Sequence, residues 1–103
     1  ITDQNSNPVM LRRLDGAGAR TFNFATAKAL VVTATGLTSG EYGSRVEAGD
    51  IEEIEGGVTF AGGVPVYLNG ELIGAVSTSG VRALQDEEAS IAGAEAIGST
   101  SSD

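Results

Sequence analysis

The stretch GGVPVYLNGELIGAVSTSG, residues 62–80, places two apolar runs on either side of Asn69-Gly70. Asn-Gly is the preferred pair for a two-residue type I′ turn, because both central residues of that turn need a positive φ. The sequence therefore predicts a β-hairpin centred on this pair. The predicted register pairs Leu68 with Glu71, Tyr67 with Leu72, Val66 with Ile73 and Pro65 with Gly74, which leaves the proline at a non-hydrogen-bonded position.

Both faces of this hairpin carry apolar side chains, since successive strand residues point to opposite sides of the sheet. The predicted faces are Val64, Val66 and Ile73 on one side and Tyr67, Leu72 and Val76 on the other. We therefore expect the sheet to be covered on both sides, by helices or by another subunit.

Further strands are predicted on each side of this hairpin. Residues 1–3 resemble the end of a strand, residues 5–8 a turn, and residues 9–14 the returning strand. Residues 57–61 are expected to extend the first strand of the hairpin, with a bulge or close approach at Gly62-Gly63.

Two helices complete the predicted fold. Residues 21–35 form the first, with Lys28 as the only charged residue and Gly36 just past the end, so we expect it to be packed on most of its circumference. Residues 37–56 are predicted to be an acidic loop with at most two helical turns around 50–55. The second helix begins near Gln85 with acids in its first turn, where the helix dipole favours anions. The order predicts an α+β domain with an antiparallel sheet flanked by helices.

Composition excludes several classes of function. The 103 residues, enough for one domain, include 14 acids and six bases, and the net charge of −8 disfavours binding to nucleic acid or to anionic membranes. No apolar run is long enough to span a bilayer. The chain has no Cys and no His, which removes thiolate chemistry and the commonest general base and metal ligand.

Five motifs occur in order and in register along the chain: LRRLDGA at 11–17, AKA at 27–29, GGVPV at 62–66, GELIGAVSTSG at 70–80 and QDEEASIAGAEAI at 85–97. Together they resemble the GlcG/HbpS family, a haem-binding-protein-like domain also found at the C-terminus of some PduO-type proteins. The resemblance covers residues 1–98 as a single domain and leaves 99–103 as a flexible tail.

The resemblance implies a profilin-like α+β fold, a homo-oligomer, and binding of haem or a related tetrapyrrole with a redox-sensing role. Members of the family usually open with a helix that this sequence lacks, so we expect an upstream peptide or a segment exchanged between subunits to complete the domain. The sequence leaves the compartment open, with a lean towards a secreted or cell-envelope location.

The candidate ligand-binding residues are cationic, small or hydroxylated. Arg12 or Arg13, with Lys28, could form a pocket for a carboxylate; the alternative is a surface charge paired with Asp15. Ser77, Thr78, Ser79 and Gly80 could offer N–H and hydroxyl groups to an anion, although three nearby acids oppose this. Gly62, Gly63, Gly74 and Gly80 permit close approach of a packed helix, which is the leading interpretation, or of a ligand.

Metal ligation has fewer candidates. For iron they are Tyr42, Tyr67 and Met10, each of which packing would also explain. Asp50, Glu52, Glu53 and Glu55 could hold a hard cation, or form an ordinary solvated loop.

Two functions remain from the sequence. The first is an oligomeric small-ligand-binding protein, with haem as the ligand that the resemblance implies. The second is a structural module that oligomerises without a cofactor. Catalysis is disfavoured, since no competent acid–base pair is evident.

Overall fold

Six elements make up the computed structural model, which describes residues 1–102. In chain order they are β1 (Thr2–Asp3), α1 (Ala19–Thr35), α2 (Ser39–Glu47), β2 (Gly63–Leu68), β3 (Glu71–Ser77) and α3 (Ala83–Glu95). The strands form one antiparallel sheet in the order β1-β3-β2. The α+β class and the antiparallel sheet predicted from the sequence are confirmed.

The hairpin turns at Asn69-Gly70, with φ of 53° and 80°, as a type I′ turn requires. The first two predicted pairs are correct, but the register shifts by one residue beyond them. Val66 pairs with Gly74 rather than Ile73, and Pro65 pairs with Ala75 rather than Gly74. Ile73 is the extra residue of a β-bulge, which alternating apolar residues alone do not reveal.

The bulge changes which side chains share a face. Val76 lies opposite Val64, so the prediction that it joins Tyr67 and Leu72 is wrong. One face of the sheet packs against α3 and the other against α1, so helices supply the cover that the sequence predicts for both faces. The first cluster contains Val64, Val66, Val76 and Ala94, with Ile73 and Ile91 against it; the second contains Ala29, Val32 and Ala75.

Helix α1 begins two residues before its predicted start and ends as predicted. Gly36 closes it with φ 74° and donates its N–H to the carbonyl of Val32, because glycine tolerates the left-handed conformation. Val31 and Val32 are fully buried, but the exposed Phe22 belongs to a first half that is open on one side. The expectation of a helix packed on most of its circumference is correct only for its second half.

Three other predictions are wrong. Residues 9–14 form no strand, since Val9 and Met10 both donate their N–H groups to the carbonyl of Ile1 rather than continuing a ladder. Residues 57–61 form no strand either, and residues 50–55 contain no helical turn.

The segment predicted as a loop instead contains α2. Thr38 caps this helix by accepting the N–H of Glu41, and Tyr42 anchors it in the core. The hydroxyl of Tyr42 accepts the N–H of Ile54 at 2.7 Å. Tertiary contacts therefore stabilise a helix whose sequence contains two glycines.

One residue of the segment that the sequence predicts as a tail contacts the sheet. Ser99, which the sequence assigns to the tail, forms a β-bridge with Tyr67, while Asp103 lies outside the described residues.

None of the helices within residues 1–102 is long and apolar enough to cross a membrane.

Candidate functional site

A cleft of about 800 Å³ opens beside the first half of α1. Its walls are the N-terminal segment, the end of β3, the loop of residues 78–81 and the start of α3. We call it the N-terminal cleft. Residues 10–14, which lie outside the sheet, form part of its lining opposite residues of α1 such as Phe22 and Ala25. Its volume lies within the range of roughly 300–1,000 Å³ typical of small-molecule sites.

Large apolar side chains line this cleft while remaining open to solvent. Met10 is 64% exposed and Leu14 is 61% exposed, although both belong to a wall of the cleft. The six exposed large hydrophobic residues that line it are Ile1, Met10, Leu11, Leu14, Phe22 and Val81. A concentration of exposed apolar surface in a concave region is typical of a ligand or partner site.

Two cations lie in the same lining. Arg12 and Arg13 both contribute to the cleft, and neither forms an ion pair with any residue of the described range 1–102. The alternative of a salt bridge to Asp15 is therefore not found within that range. Free guanidinium groups beside an apolar cleft can bind the carboxylates of an amphipathic ligand.

Lys28 is buried behind the cleft rather than within its lining. It is 2% exposed, and its Nζ donates to the carbonyl of Thr78 at 2.9 Å and to Asp86 Oδ2 at 3.4 Å. The acid that pairs with Lys28 is therefore Asp86 and not Asp15. Lys28 does not join the arginines in one cationic pocket, because Asp86 neutralises it.

Gly62 and Gly63 lie on the Lys28 side of the sheet and are absent from the cleft lining. A Cβ at Gly62, where φ is 137°, would lie 2.5 Å from Lys28 Nζ. A Cβ at Gly63 would lie 3.0 Å from Val32 Cγ2. The structure therefore associates both glycines with helix packing, the leading interpretation from the sequence.

The loop after β3 brings Ser79 and Gly80 into the cleft with Arg13. The hydroxyls beside them are already used: Ser77 donates to the carbonyl of Ala25, and Thr78 donates to that of Asp86, both at 2.6 Å. Arg13, Ser79 and Gly80 thus line the cleft, whereas Lys28, Gly62 and Gly63 lie behind it.

The three iron-ligand candidates differ in whether they line the N-terminal cleft and whether their polar atoms are already hydrogen-bonded. The hydroxyl of Tyr42 bonds with Ile54, and that of Tyr67 donates to the carbonyl of Gly36 at 2.9 Å. Neither tyrosine lines the N-terminal cleft, whereas Met10 does.

The acidic metal-ligand candidates, Asp50, Glu52, Glu53 and Glu55, do not line the N-terminal cleft. No group of three or more metal-ligating side chains is found among residues 1–102. A second, polar cleft of about 470 Å³ includes Glu47 and Glu53 beside α2. Glu47 ends α2, and of the four acidic candidates only Glu53 belongs to this lining. All four candidates are exposed, as in an ordinary solvated loop.

Two polar side chains of α3 that the sequence does not single out as site residues, Asp86 and Ser90, hold segments next to the cleft in place. Asp86 Oδ1 accepts the N–H of Val81 at 3.4 Å, and Ser90 donates to the carbonyl of Gly62 at 2.6 Å. One signal was available: Asp86 lies one helical turn before Ser90, so both project from the same face of α3. That this face meets Lys28 depends on the tertiary fold.

Comparison with known proteins gives consistent matches. The family model described as "Haem degrading protein HbpS-like" matches residues 1–95. A double mutant of HbpS from Streptomyces reticuli is similar to this chain, with a TM-score of 0.84 and 29% identity, over 94% of this chain and 68% of that chain. A PduOC:heme complex gives a TM-score of 0.86 and 24% identity, over 97% and 78% respectively.

A third similar structure is the ORFY protein of Klebsiella pneumoniae, with a TM-score of 0.77 and 26% identity, covering 86% of this chain and 66% of that chain. Comparison with curated protein sequences gives no match.

Proposed function

This chain belongs to the HbpS-like family, and we propose that it binds haem or a closely related tetrapyrrole in the N-terminal cleft. The observation that carries the proposal is the combination, in one cleft, of exposed apolar walls with two arginines that form no ion pair among residues 1–102. A tetrapyrrole of this kind has a large flat apolar body and carboxylates at one edge. The description of the family and the PduOC:heme complex support the same ligand class.

The residues of the cleft fit the two parts of such a ligand. Apolar side chains such as Leu14 and Phe22 would contact the macrocycle, and burial of their surface contributes roughly 25 cal/mol per Å². Arg12 and Arg13 would bind the carboxylates through charge-assisted hydrogen bonds.

Of the three iron-ligand candidates, Met10 alone lines the cleft. If haem binds there, Met10 would supply a thioether, a side-chain group that can ligate haem iron. The chain contains no His and no Cys. Haem, when bound, supplies the redox chemistry, and a redox-sensing role of this chain would depend on that group.

A haem titration followed by Soret absorbance tests the proposal. We expect a saturable spectral shift at one haem per chain. We expect Met10→Leu to retain binding but to move the Soret maximum, because the apolar walls remain while the sulfur is lost. Absence of a shift in the unaltered chain at stoichiometric haem would exclude the proposal.

A second candidate function, assembly without a cofactor, is favoured by the same exposed apolar surface. Val9 and Leu84 are exposed in addition to the apolar side chains of the cleft, and burying such surface between copies would stabilise a closed homo-oligomer. Sedimentation equilibrium at micromolar concentration separates the two functions. A stable oligomer without any haem-induced spectral shift would support assembly alone, whereas a monodisperse 10.4 kDa species would contradict it.

A further inference from the structure

Charges are distributed unevenly around the N-terminal cleft. The chain has 14 acids and six bases, yet among the described residues the cleft lining contains two arginines and a single acid, Asp86. In a protein of net charge −8, a ligand site with so few carboxylates is a local exception to the overall charge.

The single acid is not free to act on a ligand. Asp86 is 4% exposed, and its Oδ2 lies 3.4 Å from Nζ of Lys28, which is itself buried. Its Oδ1 accepts the N–H of Val81, a residue of the cleft wall. A buried ion pair is screened far less than a surface pair, so Lys28 cancels the charge of Asp86 effectively.

We propose that the Lys28–Asp86 pair determines the ligand specificity of the N-terminal cleft. Lys28 neutralises Asp86, the one acid of the lining, and neither Arg12 nor Arg13 forms an ion pair within the described residues 1–102. The cleft therefore selects ligands that carry an anionic group on an apolar body. Lys28 achieves this without lining the cleft. The inference rests on the cleft being the ligand site of the proposed function, but not on the ligand being haem.

Loss of Lys28 would remove the positive charge beside Asp86. Without it, Asp86 is an uncompensated carboxylate at the cleft wall, and it opposes any anion that Arg13 attracts. A unit charge about 10 Å away at an effective dielectric constant near 20 changes the affinity for a monovalent anion by roughly tenfold. An uncharged ligand of the same shape does not experience this change.

Two dyes of matched shape measure this charge effect. 8-Anilinonaphthalene-1-sulfonate carries one anionic group, and N-phenyl-1-naphthylamine has the same ring system without it. Their dissociation constants, determined by fluorescence titration, give the ratio of anionic to neutral affinity for each variant. The ratio separates charge from shape, because a distorted wall weakens the binding of both dyes.

We expect Lys28→Met to lower this ratio about tenfold relative to the unaltered chain. Adding Asp86→Asn in the same chain restores the ratio to within about twofold, since the cleft then has its original net charge. Arg45→Gln is the matched control: it also removes one positive charge, from an exposed pair with Glu41 outside the cleft. We expect that control to leave the ratio unchanged.

The single variant Asp86→Asn keeps the test decisive if Lys28→Met does not fold. It exposes the charge of Lys28, so the ratio should rise several-fold, and an unchanged ratio there overturns the inference. Equal loss of both dyes in Lys28→Met also overturns it, since that result indicates a structural role alone. Haem failing to bind while the dye ratios shift as expected would instead exclude only the proposed function.

Discussion

Ser99 and Tyr67 exchange two backbone hydrogen bonds, of 2.6 and 2.9 Å, across the outer edge of β2. This bridge is one of three features that close the edge. The N–H of Gly63 donates to the hydroxyl of Ser39 at 2.9 Å, and Pro65 has no N–H to offer. Every second residue of β2 is therefore unavailable to an added strand, which protects the hairpin against edge-to-edge aggregation.

The close approach at Gly98 maintains this bridge. A Cβ there would clash with the carbonyl oxygen of Tyr67, so we expect Gly98→Ala to destabilise the fold by about 1–3 kcal/mol. Hydrogen exchange should also show faster exchange of the Tyr67 amide. Gly93→Ala is the matched control, since its Cβ would make only an ordinary 3.4 Å contact with Val76. That change should stabilise α3 by about 0.5–1 kcal/mol, and equal effects of the two substitutions would refute this interpretation.

The hairpin turn gives a second prediction. Gly70 has φ 80°, which a β-branched residue resists, so Gly70→Val should destabilise the fold by roughly 1–2 kcal/mol. Asn69→Gly is a suitable control, because glycine adopts a positive φ without strain. An unchanged melting midpoint for Gly70→Val in thermal denaturation would mean that the turn has another geometry.

The pKa of Asp3 makes stability depend on pH. The N–H of Asn7 donates to its Oδ1 at 3.0 Å and, with a weaker contribution from Asn5, holds the pKa below the ordinary value of 3.8. The folded pKa lies below the unfolded one, so this stability is present above the unfolded pKa and is lost as the pH falls through the folded pKa.

We therefore expect the stability difference between the unaltered chain and Asp3→Asn to shrink as the pH is lowered. Denaturant unfolding between neutral pH and about pH 2 measures that difference. A difference that stays constant over the whole range would contradict this account of Asp3.

The hairpin shows what the sequence can and cannot predict. Asn69-Gly70 specifies its turn locally, because few other dipeptides adopt two positive φ angles. The bulge at Ile73 could not be predicted, because apolar residues continue on both sides of it in the sequence. That pattern does not show that one residue of the strand lacks a cross-strand partner. The consequence of the bulge, Val76 facing α3, depends on packing between distant parts of the chain.

The candidate site shows a similar limit. The resemblance and the exposed arginines point to a site for an anionic ligand, and the structure brings Arg13, Ser79 and Gly80 to one cleft. Asp86 could not be assigned to Lys28, because 58 residues separate them and only the packing of α1 and α3 on opposite faces of one sheet brings them together. Residues 9–14 do not form the strand that their apolar character predicts, and residues 10–14 line the cleft instead.

Haem titration of two aspartate variants tests the location of the ligand most directly. Leu14 lies in the N-terminal cleft and is 61% exposed, while Leu68 lies beside the hairpin turn and is 49% exposed. Both substitutions add one negative charge to an exposed leucine position, so they match in chemistry and differ in place. We expect Leu14→Asp to weaken haem binding by at least about tenfold, because a carboxylate in the cleft repels the ligand's carboxylates and is costly to desolvate. Leu68→Asp should leave the affinity within about twofold, and equal weakening by both, or no weakening by either, would contradict haem binding in this cleft.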